Sequence, residues 1–314
     1  MSQDLIVITG PTATGKTALS ISLANRIGGE IVSADSMQIY KRMDIGTAKA
    51  TEEEQKKAVH HMIDIVDPSE PYSVSKYVNQ ASEICDDIIA RGKVPIVTGG
   101  TGMYIDSLVK GLTFSEYDAD ESERIRTELN AQYEEIGGEK MISLLSKFDP
   151  DRAKILSPND KKRIVRAIEV YKLTGETITR HDELSKLREP RYKAKYFVLN
   201  FKDREELYKR INLRVDKMMQ NGLLEEVNRL LNEGIDKTGT ALQAIGYKEM
   251  LMYLDGAVTL DEAVEKIKRE SRRYAKRQLT WFRKNKDTEW IQWDGEPDLG
   301  AGVDKIISSI NSEI

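Results

Sequence analysis

Gly10-Pro11-Thr12-Ala13-Thr14-Gly15-Lys16-Thr17 fills every position of the pattern G-x-x-x-x-G-K-[ST]. It follows the apolar run LIVIT at 5–9 and opens into ALSISLANRI at 18–27, a helical composition. Strand, glycine turn and helix in that order build a cradle for phosphates. The glycines let backbone N–H groups converge on phosphate oxygens, and the start of the helix supplies a positive end. Lys16 adds a full charge and Thr17 a hydroxyl suited to Mg²⁺. A turn kept only for packing gives no reason for either. Gly10, Thr12, Ala13, Thr14, Gly15, Lys16 and Thr17 are therefore expected to hold a diphosphate or triphosphate, with Mg²⁺ against Thr17.

Four more apolar runs look like buried strands: EIVSADS at 30–36, VPIVTGG at 94–100, AKYFVLNF at 194–201 and TEWIQWD at 288–294. Helical patterns separate most of the runs, which is the sequence form of a mostly parallel sheet flanked by helices. The fold class is α/β with a P-loop NTPase-like core. One interval is too long for a single crossover. Between Phe114 and Lys193 about eighty residues, rich in charge and helix formers, contain no convincing strand. They read as an all-helical insertion punctuated by Gly137-Gly138 and Pro158. The expected organisation is thus core at 1–114, insertion at 115–193, and core again at 194–314. Helical pattern resumes over Tyr208–Glu233 and Asp261–Lys286, before the last strand.

Composition narrows the classes. No apolar run approaches the roughly 20 residues that span a bilayer, and MSQDLIVITG lacks the basic start of a secretory signal. Cys85 is the single cysteine, which excludes an internal disulfide and a multi-cysteine zinc site. A cytoplasmic location is expected. The net charge of −4 argues against a nucleic-acid partner until its distribution is considered. Between Lys266 and Lys286 ten Lys or Arg stand against one acid, Glu270, with smaller basic clusters at Lys161–Arg166 and Lys186–Lys195. Clustering of this kind is the footprint that matters for RNA.

The carboxyl end of the second run places a carboxylate, a hydroxyl and an amide together, as Asp35, Ser36 and Gln38. In open α/β sheets that end faces the ligand crevice. Asp35 either approaches what the phosphate loop holds or merely caps a turn, and spacing does not choose between these.

Seven segments together resemble one family: GPTATGKT at 10–17, IVSADSMQIYKRMDIGTAK at 31–49, HHMIDIVDP at 60–68, VTGGTGMYI at 97–105, SPNDKKRIVRAIEVY at 157–171, LQAIGYKE at 242–249 and AKRQLTWFRK at 275–284. The set resembles the bacterial tRNA dimethylallyltransferases from Leu5 to about Trp293. The resemblance implies transfer of a dimethylallyl group from dimethylallyl diphosphate to N6 of the adenosine 3′-adjacent to the anticodon, giving N6-isopentenyladenosine and diphosphate. It implies that the phosphate loop grips the diphosphate, that Asp35 is general base toward N6, and that Thr101 hydrogen-bonds the bridging oxygen. Arg214, in INLRVDKMM, would neutralise the departing diphosphate alongside Lys16. The anticodon stem-loop would be met by Asp35, Ser36, Met37, Gln38 and Thr101, and by Asn159, Asp160, Lys161, Lys162, Arg163 and Arg166. Mg²⁺ is the expected cofactor and a monomer the expected state.

Other signals have plainer readings. Ser157 is expected to cap a helix beginning at Pro158 and ending at Gly175, with Ile164, Ile168 and Tyr171 inward. Read without the resemblance, Lys162, Arg163 and Arg166 are an ordinary solvated face. Trp281 reads as a core residue, His60-His61 as structural and Cys85 as an inert buried thiol. The rival functions are a nucleotide or metabolite kinase, an isopentenyltransferase acting on free adenylate, and a regulatory P-loop NTPase that binds RNA.

Overall fold

All five apolar runs become strands of one parallel sheet. The computed structural model describes residues 4–112, 119–187 and 189–312. Its strands are β1 (Leu5–Thr9), β2 (Glu30–Ser33), β3 (His60–His61), β4 (Pro95–Gly99), β5 (Ala194–Phe201) and β6 (Thr288–Trp293). They lie in the order β3-β2-β4-β1-β5-β6, and every pairing is parallel. The central strand β1 is buried at each of its residues, as a strand covered by helices on both faces must be. The two-residue edge strand β3 is an addition to the sequence reading, since HH carries no apolar pattern.

The chain divides into two units, residues 1–111 with 191–314, and residues 112–190. The seam expected at 114–115 lies outside the described residues. Helices α1 (Lys16–Ile27), α2 (Glu52–Gln55), α3 (Val74–Ala90) and α4 (Gly102–Lys110) belong to the first unit. The second holds α5 (Ala119–Leu145), α6 (Pro150–Ile155), α7 (Lys161–Thr174) and α8 (Ile178–Leu187). The first unit resumes with α9 (Arg204–Gln220), α10 (Leu223–Asn232), α11 (Tyr247–Leu254), α12 (Leu260–Phe282) and α13 (Leu299–Asn311). Among the described residues no helix is long and apolar enough to cross a membrane.

Two elements correct the sequence reading. The helix expected over Tyr208–Glu233 is two helices, broken at Asn221 and at Gly222, whose φ is 94°. The cap of α7 is Asp160, not Ser157: the Asp160 carboxylate accepts from Arg163 N. Ser157 instead accepts from Asn159 N in the turn before it, which leaves Asp160 at the position whose side chain reaches the first helical N–H groups. Gly175 closes α7 in the left-handed conformation, as expected. The second unit's core joins Leu129, Met141 and Leu145 of α5 to Ile164 and Ile168 of α7. Tyr171 sits at its margin, stacked on Phe148 at 4.0 Å.

Glu30 ties the edge of the sheet together. It is 3% exposed, and accepts from Arg91 Nη1 and Nη2 at 2.5 and 2.8 Å and from Lys93 Nζ at 2.7 Å. His61 Nε2 lies 2.8 Å from the same carboxylate, so His61 is structural. Arg91 above all holds the Glu30 carboxyl far below the usual carboxylate range, with Lys93 and His61 adding to it against the cost of burial. A carboxyl depressed on folding stabilises the protein above its unfolded pKa, and that contribution fades as pH falls below it. Replacing Glu30 by Gln should therefore cost about 1–3 kcal/mol at neutral pH. The difference from the parent in urea midpoint should shrink below the usual carboxylate range, and a pH-independent difference would contradict this.

Candidate active site

Three loops leave the carboxyl ends of β1, β2 and β4, the side on which open α/β sheets hold ligands. Backbone bonds tie them together: Ala34 N donates to Thr98 O at 2.7 Å, and Thr101 N to Ala34 O at 3.1 Å. A Cβ at Gly99 would lie 2.2 Å from Ala34 O, so that approach requires glycine.

After β1 the phosphate loop runs directly into α1 at Lys16. Lys16 Nζ donates to Gly10 O at 3.0 Å and Pro11 O at 2.8 Å. Thr14 Oγ1 also donates to Pro11 O, at 2.8 Å. Burial, then the neighbouring Arg214 charge, pull the Lys16 ammonium down to about 7, against the opposing pull of Asp35. Arg214 comes from α9, and its Nη2 donates to Thr47 O at 3.2 Å. Its pKa is lowered too, by burial, with Asp35 again opposing. Lys16 and Arg214 thus stand half-buried beside Asp35, with Arg277 and Glu54 also in the cavity lining, a balance that favours an incoming anion.

After β2 the Asp35 Oδ1 accepts from Met37 N at 3.0 Å and Gln38 N at 3.4 Å. Asp35 also lines the cavity. Turn cap and ligand-facing group are therefore the same residue, with both backbone bonds falling on one oxygen. After β4, Thr101 Oγ1 accepts from Ser36 N at 3.0 Å and donates to Ser36 Oγ at 3.3 Å.

The cavity between these loops and the helices above has a volume of about 630 Å³. Thr12 to Thr17, Asp35 to Gln38 and Gly99-Gly100 line one side. Ile211, Val215, Met218, Ala244, Ile245 and Ile267 give the opposite wall an apolar surface. Gly10 and Thr101 lie behind this lining, with Thr101 reaching the site through Ser36. Sequence reading missed the contribution of α12. Gln278 is 5% exposed. Its Oε1 accepts from Thr12 N at 3.2 Å and its Nε2 donates to Gly100 O at 2.9 Å, bracing the phosphate loop against the loop after β4. Tyr274 lines the same wall, its hydroxyl pushed up to about 12 by burial, with Thr101 and Gln278 partly countering. The available signal was polar residues, Ser271 and Gln278, on the inward stripe begun by Ile267.

Trp281 differs from its expected place. It is 37% exposed, donates from Nε1 to Asp106 at 2.9 Å and lies under Lys284. A polar partner on α4 holds it at the surface. Part of the basic stretch is structural: Lys268 pairs with Asp216 at 2.8 Å, and Arg272 donates to Asn212 at 2.5 Å. Asn159, Asp160, Lys161, Lys162, Arg163 and Arg166 belong to the second unit, at the start of α7 and the turn before it. Lys162, Arg163 and Arg166 are exposed there. Lys161 pairs with Glu134 at 2.7 Å, Arg163 with Asp160 and Arg166 with Glu169, both at 3.1 Å. Cys85 is buried, and burial pushes its thiol up to about 12, which makes it the inert thiol expected.

The Lys16 environment makes a direct test. At pH 8 an ammonium with a pKa near 7 is mostly neutral, and a bound diphosphate ester restores its proton. Binding should therefore take up close to one proton, read by calorimetry as an enthalpy that varies with the buffer's heat of ionisation. Lys16→Met should remove that dependence. Buffer-independent enthalpy in the parent would contradict the assignment.

The chain matches the family model described as IPP transferase over residues 38–285, and one described as isopentenyl transferase over residues 3–65. It is 49% identical over 294 residues to the tRNA dimethylallyltransferase of Caldanaerobacter subterraneus subsp. tengcongensis, covering 93% of this chain and 92% of that one. The crystal structure of the full-length tRNA isopentenylpyrophosphate transferase from Bacillus halodurans has a TM-score of 0.72 at 40% identity, covering 99% and 98% of the two chains. A eukaryotic dimethylallyltransferase acting on tRNA has a TM-score of 0.79 at 30% identity, covering 97% of this chain and 79% of its own. By this extent and identity the chain belongs to the tRNA dimethylallyltransferase (IPP transferase) family.

Proposed function

We propose that this chain moves the dimethylallyl group of dimethylallyl diphosphate onto N6 of the adenosine next to the anticodon of tRNA, on its 3′ side, releasing diphosphate. The observation that carries the reading is one cavity in which Lys16 and Arg214, the Asp35 carboxylate and an apolar wall all meet. Lys16 and Arg214 suit a diphosphate, the wall suits a branched hydrocarbon, and the Asp35 carboxylate suits a proton acceptor.

The chemistry follows from charge. The allylic cation is stabilised by its double bond, so the bond from C1 to the diphosphate oxygen stretches early. Lys16, Arg214 and the phosphate-loop N–H groups take up the negative charge that develops on the leaving group. Thr101 would donate toward the bridging oxygen once its hydroxyl turns from Ser36 Oγ, its acceptor in the structure. Adenine N6 is a weak nucleophile because its lone pair is delocalised into the ring. Asp35 accepts the N6 proton as the N–C bond forms. The loops fix both reactants in line, which removes much of the entropic barrier. The target base must leave its stack to reach the cavity.

Thr17 lines the cavity with Lys16 and Asp35. Among the described residues no group of three His, Cys, Asp or Glu could cage a metal. That donor set fits Mg²⁺ held chiefly by the substrate's own phosphate oxygens, with Thr17 as protein ligand. Bound there, the ion would neutralise diphosphate charge. Met37, Gln38 and the α7 residues Lys162, Arg163 and Arg166 are assigned to the tRNA, the last three through backbone phosphates.

Asp35→Asn should leave dimethylallyl diphosphate affinity intact and slow single-turnover transfer by roughly 10²–10⁴-fold; a near-parental rate would remove Asp35 from the mechanism. Replacing Lys162, Arg163 and Arg166 by Ala should raise the KM for tRNA. It should also flatten the dependence of log K on log salt, by about 0.7–0.9 for each RNA phosphate that is no longer neutralised. Strong transfer to free AMP, with tRNA affinity unchanged in that variant, would favour the free-adenylate reading instead.

A further inference from the structure

Two stretches, DIGTAK at 44–49 and LQAIGYKE at 242–249, are only partly absorbed by the roles above, through Thr47, Ala244 and Ile245. In the structure they meet on one carboxylate. Glu226, on α10, is 3% exposed. Its Oε2 accepts the backbone N–H groups of Asp44 and Ile45, each at 2.9 Å. Its Oε1 accepts Gly46 N at 3.0 Å and the Tyr247 hydroxyl at 2.6 Å. Arg229 Nη2 stands farther off, at 4.0 Å. Burying a carboxylate is costly unless its lone pairs find donors, and here four donors converge on it. Gly46 packs so closely on Tyr247 that a Cβ would lie 2.3 Å from the ring.

What Glu226 grips is the wall between two cavities. Gly46, Thr47 and Ala48 line the reaction cavity. Asp44, Ile45, Ala48 and Lys49 line a second one of about 790 Å³. Arg214 lines both. The wall's far end is anchored by buried Lys49, which donates to Tyr40 O at 2.9 Å and pairs with Asp44 at 2.6 Å and Asp64 at 2.5 Å. Immediately after the gripped residues, Thr47 O accepts from Arg214 Nη2 at 3.2 Å and from Gln38 Nε2 at 3.3 Å. The bond to Thr47 is the hydrogen bond that the Arg214 guanidinium makes among the described residues.

We propose that Glu226 is a positioning residue for the transfer reaction. Through three backbone N–H groups it fixes the wall, the wall fixes the Thr47 carbonyl, and that carbonyl aims Arg214 at the leaving diphosphate. The inference rests on the role given to Arg214 above. It also explains why a glycine at 46 and a Gly-Tyr pair at 246–247 occur in one chain: Tyr247 completes the carboxylate's shell and packs on Gly46.

The test is a mutant cycle over the parent, Glu226→Gln, Arg214→Ala and the double variant, with two readouts. One is single-turnover transfer to tRNA. The other is calorimetric affinity for dimethylallyl diphosphate without tRNA, which needs no transfer. Misaiming a charged group should slow Glu226→Gln by roughly 10–100-fold in the parent background and by less than about threefold once Arg214 is gone. Affinity should weaken in the same conditional way. Equal losses in both backgrounds, by either readout, would overturn the proposal. Should Glu226→Gln not fold, Tyr247→Phe, which removes one donor, should show a smaller loss with the same dependence on Arg214. Glu30→Gln separates positioning from general softening. Glu30 is 3% exposed and lies at the start of β2, where its partners are Arg91, Lys93 and His61 and none of the residues gripped by Glu226. That variant should lower Tm while leaving the rate unchanged well below Tm, and slowing equal to that of Glu226→Gln would count against the proposal. A parent that binds the diphosphate ester without transferring it would refute the functional reading, and the affinity cycle would still decide this one.

Discussion

Lys16 and Arg214 stand half-buried beside the Asp35 carboxylate on one cavity wall, and the rest of the site is arranged around that excess of positive charge. Lys16 and Arg214 each lose part of their affinity for a proton through burial, and Asp35 restores only some of it. In bulk water such charges would be screened and indifferent to one another. Held by a phosphate loop on one side and a helix on the other, they suit an anion carrying more than one negative charge. In the proposed reaction the same arrangement would stabilise that anion as it departs, so that one feature would serve both binding and chemistry.

The sheet makes this possible by bringing distant stretches to one edge. The loops after β1, β2 and β4 carry Lys16, Asp35 and Thr101, and parallel pairing in the order β2-β4-β1 sets them side by side. Short backbone bonds then remove the freedom that separate loops would keep, as between Thr101 N and Ala34 O. Helices α9 and α12 close the cavity from above, adding Arg214 and Gln278. A site assembled from both halves of the sequence depends on the fold of the whole unit.

The elements that carried a strong local pattern were legible in the sequence. LIVIT and GPTATGKT announce a strand and a phosphate loop because burial on both faces demands a continuous apolar run and phosphate demands glycine. β3 was not, because two histidines carry no apolar pattern, and they join β2 through backbone pairing and the contact of His61 with Glu30. Ser157 lost the cap to Asp160, since two residues able to cap stood close together and propensity does not rank their geometry. Asp35 was legible as a candidate, though not that it would cap its turn and line the cavity at once. Gln278 and Glu226 were hidden for a further reason. Each lies on a helix whose other residues read as ordinary amphipathic pattern, and its value comes from partners far away in sequence, Thr12 and Gly100 for one and Asp44 to Gly46 for the other. Long-range hydrogen bonds leave no periodic trace.

The central claim is that one cavity couples departure of a diphosphate to attack by an RNA base. Incubating the protein with deuterium-labelled dimethylallyl diphosphate, Mg²⁺ and unmodified tRNA, then digesting the RNA to nucleosides for mass analysis, addresses it directly. The account predicts one labelled isopentenyl group per modified tRNA, on N6 of the adenosine following the anticodon, with an equal amount of diphosphate released. Release of diphosphate with no label in RNA, or label on free adenylate in preference to tRNA, would contradict it.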